Sequence, residues 1–95
     1  MTGTTAFPAD TCIGILGSGQ LGRMLAIAAA QLGVQTHVFA PDAGTSPAGQ
    51  VATLTTTADY DDVAALRRFA ASVDAVTSEF ENVPAATMDV ISATC

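Results

Sequence analysis

Apolar positions along this chain switch between two spacings. Residues 12–16 form a short Ile-rich apolar run bounded by glycine, the pattern of a strand buried in a parallel sheet. Residues 17–22 form a glycine-rich turn. Beyond it Leu21, Leu25, Ala28 and Leu32 recur at helical spacing with Met24 beside them. This predicts an amphipathic helix of about three turns, closed by Gly33 as its C-cap. Residues 35–40 read as a second strand with Val38 and Phe39 at its apolar end. A loop with two prolines and two glycines covers 41–50, and the β-branched, polar stretch 51–57 predicts an edge-like third strand. Asp59, Asp61 and Asp62 then open a second helix whose apolar face is Val63, Leu66, Phe69 and Ala70. Acids at its start and Arg67 with Arg68 near its end both suit the helix dipole. Residues 74–78 predict a fourth strand, and Pro84 starts a last helical segment.

Strands alternating with helices of this length predict an α/β, Rossmann-like parallel sheet with helices on both faces. Right-handed crossovers then favour the spatial order 3-2-1-4, with strands one and four side by side. The expected organisation is a flexible leader over 1–10 and one domain over 11–95.

Composition agrees with one small domain. The chain has 95 residues, 49% of them apolar and only 13% charged, which excludes a disordered segment. Acidic residues number 9 against 3 arginines (Arg23, Arg67, Arg68), with no lysine and a formal charge of −6. Without a basic stripe to displace counterions, nucleic acid is excluded as a partner, and an anionic membrane surface would repel the chain. Residues 1–10 carry no positive charge and no long apolar run, unlike a secretion signal. The strongly apolar stretch 24–30 is too short to span a bilayer, so a cytoplasmic location is expected. Cys12 and Cys95 read as a buried strand thiol and a loose terminal one rather than a disulfide.

The chemistry concentrates in two segments. Gly17-Ser18-Gly19-Gln20-Leu21-Gly22 fits G-x-G-x-x-G between a strand and a helix. Gly17 allows the tight turn, Gly19 lets a ligand approach the backbone, and Gly22 lets the helix pack closely. Backbone N–H groups at the helix start can hold an anion. The plainer alternative is a turn that merely packs the helix. Gln20 offers an amide to a small polar ligand, and Arg23 can meet a phosphate or carboxylate or stay solvated. A dinucleotide site expects an acid near position 40, where this chain has Ala40, and Asp42 beyond Pro41 reads as a turn residue.

The second segment, Glu79-Phe80-Glu81-Asn82-Val83-Pro84, follows the fourth strand and falls beside the glycine loop at the switch point of such a sheet. Glu79 and Glu81 would repel a pyrophosphate but accept hydrogen bonds from an amine or hydroxyl. Phe80 should point into the core. Together the two segments suit a small phosphorylated amine better than a dinucleotide. A solvated acidic loop, with Asn82 making a turn, is the alternative. His37 lacks a ligating companion and reads as structural, Ser18 and Ser78 lack an obvious base, and the 59–62 acids read as a capping cluster rather than a metal site.

Four ordered motifs resemble the opening of the N5-carboxyaminoimidazole ribonucleotide synthetase family: residues 13–25, 46–52, 58–62 and 79–84. The resemblance covers about Cys12 to Pro84. It implies a pre-ATP-grasp domain from an ATP-dependent ligase of purine biosynthesis. That ligase carboxylates aminoimidazole ribonucleotide with bicarbonate, using ATP and Mg2+, and works as a homodimer. It also implies that Gly19, Gln20 and Leu21 lie along the acceptor and that Glu79 accepts hydrogen bonds from it. Ala40 stands where many relatives carry an acid. The family continues beyond the length seen here, so the expectation is an N-terminal fragment. The residues that bind ATP, Mg2+ and carboxyphosphate would then be absent, leaving no catalytic residue in this chain. Two other classes compete: an NAD(P)-binding module of an oxidoreductase, and a non-catalytic interaction fragment that pairs through an exposed sheet edge.

Overall fold

The computed structural model describes residues 11–78 and 85–94. In chain order these form β1 (Cys12–Leu16), α1 (Gln20–Gln31), β2 (Gln35–Ala40), a 3-10 turn at Ala43–Thr45, β3 (Leu54–Thr57), α2 (Val63–Ala71), β4 (Ala75–Ser78) and α3 (Ala85–Thr94). The strands pair in parallel in the order β3-β2-β1-β4, as the alternation of elements predicts.

The two central strands have side chains of alternating direction, and each direction meets a different layer. Ile15 and Val38 bury on one face with Ala26 of α1. Leu16 and Phe39 bury on the other with Leu66 and Phe69 of α2 and Ile91 of α3. Thr87 ties α3 down by donating to the Tyr60 carbonyl at 2.6 Å. The register of β1 on β4 is pinned at its start by Asp74. Its carboxylate accepts from the Cys12 N–H at 2.9 Å, while its own N–H bonds the Cys12 carbonyl at 2.8 Å. Burial, with a smaller contribution from the Asp74 charge, pushes the Cys12 thiol pKa up, as suits an inert buried thiol. Cys95 lies outside the described residues.

Local sequence signals set the helix ends. The Asp62 carboxylate accepts from the Ala65 N–H at 3.1 Å and caps α2, so one of the three acids at 59–62 does the capping. α1 ends at Gln31 with Leu32, not Gly33, as its C-cap, and Gly33 follows with a φ of 77°.

Three expectations need correction. The apolar stripe of α1 is not buried: Leu21, Met24, Leu25 and Leu32 are 42–64% exposed, and Gly22 and Ala26 are buried instead. Leu25 borders an open apolar groove of ≈ 310 Å³ between the helix and the sheet. Ile13, Ile15, Leu25, Ala29, Ala75 and Thr77 line that groove. On α2, Ala65 is buried and Val63 is exposed. The third strand starts only at Leu54, because Val51 and Ala52 turn their N–H groups back to the Ala48 carbonyl.

Candidate functional site

The C-terminal ends of β1 and β4 lie side by side, with Leu16 paired to Ser78. The glycine loop leaves the first end, and Glu79 follows the second in sequence. This is where a parallel sheet of this order opens a crevice for ligands. Glu79, Phe80, Glu81 and Asn82 lie outside the described residues.

The loop is held from three sides. Gly17 adopts a φ of 114°, a conformation side chains disfavour, and donates its N–H to the Phe39 carbonyl at 3.0 Å. Ser18 gives its hydroxyl proton to the Asp42 carboxylate at 2.6 Å, and its carbonyl accepts from the Ala48 N–H at 3.1 Å. One turn into α1, the Arg23 guanidinium donates to the Pro47 carbonyl at 3.3 Å and to the Gln50 side chain at 3.4 Å. Gly22 is buried, while Gln20 and Leu21 are exposed at the helix start.

Segment 46–52 therefore acts as a brace. Ser46 and Ala48 are buried. The Ser46 hydroxyl donates to the Ala43 carbonyl at 3.0 Å and accepts from the Gly49 N–H at 3.0 Å. A Cβ at Gly49 would overlap the Ala43 carbonyl oxygen, so glycine is a steric requirement there.

The structure brings Gly17, Gly19, Gln20 and Leu21 together at the head of α1 and turns Arg23 to the brace. Ala40 is fully buried at the end of β2, packed with Ala43 and Ala48. The acid on that side is Asp42, whose partner is the glycine loop. Neither the Ser18–Asp42 bond nor the Arg23 contacts were read from the sequence. The one available signal was a serine inside the loop and an acid just past β2.

His37 is structural. Its Nδ1 and Nε2 meet the Ser72 and Thr56 hydroxyls at 3.0 and 2.6 Å, its ring meets Phe69 edge-on at 5.0 Å, and burial lowers its pKa. Among the described residues no group of three or more His, Cys, Asp or Glu could hold a metal ion. None of the helices among the described residues is long and apolar enough to cross a membrane.

Residues 11–95 match the model of the ribonucleotide synthetase preATP-grasp domain. The N5-carboxyaminoimidazole ribonucleotide synthase of Brucella melitensis biotype 1 is 50% identical over 94 residues, which is 99% of this chain and 25% of that protein. The bifunctional purine synthesis protein purC/E of Dictyostelium discoideum is 57% identical over 76 residues, which is 80% of this chain and 8% of that protein. Among solved structures, an ADP complex of N5-carboxyaminoimidazole ribonucleotide synthetase superposes with a TM-score of 0.84 at 40% identity, over 90% of this chain and 22% of that one. An Aspergillus clavatus N5-carboxyaminoimidazole synthase, in complex with ADP and 5-aminoimidazole ribonucleotide, superposes with a TM-score of 0.77 at 33% identity, over 90% and 23%. The chain thus spans a quarter or less of the length of each of these relatives.

Proposed function

The chain belongs to the ribonucleotide synthetase preATP-grasp domain family, and from that premise we propose that it is the acceptor-binding part of an ATP-dependent ligase. The reaction is carboxylation of the aminoimidazole ribonucleotide amine by bicarbonate in de novo purine biosynthesis. The observation that carries this reading is the pairing of Leu16 with Ser78, which sets the start of the glycine loop beside the strand that leads to Glu79. A relative crystallised with ADP and 5-aminoimidazole ribonucleotide supports it.

In this reading Gly19, Gln20 and Leu21 line the acceptor, and Gln20 can both donate to it and accept from it. Glu79 accepts hydrogen bonds from its N–H or O–H groups, with Glu81 and Asn82 in the same segment. Gly17 sets the turn, and Arg23 holds the loop to its brace. ATP supplies phosphoryl activation of bicarbonate, with Mg2+ neutralising its phosphates. The 3 arginines and absent lysines here fit poorly to a triphosphate, so those groups belong to the longer protein. A cytoplasmic homodimer completes the proposal.

Calorimetric titration tests it. The 95-residue chain is expected to bind aminoimidazole ribonucleotide, to bind neither NAD nor NADP at micromolar concentration, and to leave ATP unhydrolysed. Tight dinucleotide binding would instead favour an oxidoreductase module.

A further inference from the structure

Asp42 occupies the N-cap position of the 3-10 turn Ala43–Thr45, where a carboxylate ordinarily accepts from the turn's own N–H groups. It makes no such cap. Its backbone carbonyl takes the Thr45 N–H at 3.1 Å, while its side chain reaches back to the glycine loop and accepts the Ser18 hydroxyl at 2.6 Å. A negative charge is therefore fixed against the loop that, in phosphate-binding folds, is kept free for an anion.

Two of the loop's hydrogen-bond donors are already engaged elsewhere. The Gly17 N–H is already given to Phe39, and the Ser18 hydroxyl proton to Asp42. The nearby cation, Arg23, is turned to Pro47 and Gln50. The chain has no lysine to take its place.

We propose that Asp42 is a positioning and specificity residue. It locks Ser18, and so the loop, and its charge keeps phosphate off the head of α1. The loop then meets an uncharged, hydroxyl- or amine-bearing portion of the ligand, and the ligand's phosphate lies elsewhere. The inference rests on the acceptor-binding reading above and states which part of the acceptor the loop takes.

Asp42→Asn separates charge from geometry, since the amide oxygen still accepts from Ser18. The probe is inorganic phosphate at constant low ionic strength, read as shifts of the Gln20 and Leu21 backbone amide signals. Removing one unit charge close to the loop should tighten phosphate binding on the order of tenfold relative to the native chain. Asp42→Glu keeps the charge and should exclude phosphate as the native chain does, which guards against a variant that is merely misfolded. Equal phosphate binding by the native chain and Asp42→Asn, or none by either, overturns the proposal. Failure of the native chain to bind aminoimidazole ribonucleotide would instead overturn the functional reading, and the phosphate titration is independent of that result.

Discussion

Gly14 on β1 lies directly under the Phe69 ring of α2. A Cβ at this position would sit 2.6 Å from the Phe69 Cζ and 3.1 Å from a Val73 methyl. The buried face of α2 packs on the central strand only because that strand lacks a side chain there. Gly14→Ala should destabilise the domain by about 1–3 kcal/mol through overpacking, measured as the midpoint of urea unfolding. Phe69→Leu alone should cost stability too. Combined with Gly14→Ala it should cost less than the sum of the single effects, because the two residues share one contact.

The His37 ring predicts an acid-sensitive fold. The Ser72 hydroxyl donates to the Phe69 carbonyl at 2.7 Å, so it accepts from His37 Nδ1–H, and Nε2 accepts from Thr56. Both nitrogens are satisfied in the neutral ring, and burial lowers the pKa below its ordinary value of 6.5. The unfolded chain therefore takes up this proton at higher pH than the folded one. The contribution of the neutral ring is complete above about pH 6.5 and declines as pH falls below it. Urea midpoints should show that decline in the native chain. His37→Gln, although less stable, should lose this component of the slope.

Which face of α1 is buried is testable by a pair of substitutions. Ala26 is 1% exposed and Leu32 is 64% exposed. Ala26→Leu should destabilise by about 1–3 kcal/mol, as overpacking does. Leu32→Gln should stay within about 0.5 kcal/mol of the native chain. The reverse ranking in thermal or urea unfolding would restore the stripe read from periodicity.

The brace makes a local prediction. Gly49→Ala forces a methyl into the Ala43 carbonyl oxygen, so segment 46–52 must shift. Because Ala48 and Arg23 join that segment to the loop and to α1, faster amide hydrogen exchange should spread to residues 18–23. Arg23→Ala should raise exchange in 46–52 with a smaller change in unfolding midpoint.

Much of the fold was legible in the sequence because it follows from alternation. Ile15 against Leu16 and Val38 against Phe39 mark strands with two buried faces, and the crossover rules then fix the order. The face of α1 was not legible, since periodicity reveals an apolar stripe but not which stripe is buried. Gly22 and Ala26 are the buried positions although neither is a large apolar residue. The start of β3 was overstated because the turn bonds from Val51 and Ala52 to Ala48 outweigh the β-propensity of residue 51. At the site, the glycine loop was placed by its own motif. The Ser18–Asp42 bond joins residues 24 apart in sequence and shows only in three dimensions.

The central proposal is that the C-terminal ends of β1 and β4 together hold the ribonucleotide acceptor. A backbone amide NMR titration of the chain with aminoimidazole ribonucleotide tests it most directly. The account predicts that signals of Gly19, Gln20, Leu21 and Glu79 shift together and saturate on one binding curve. Shifts confined to the groove residues Ile13, Leu25 and Ala75, or no shift at millimolar ligand, would contradict it.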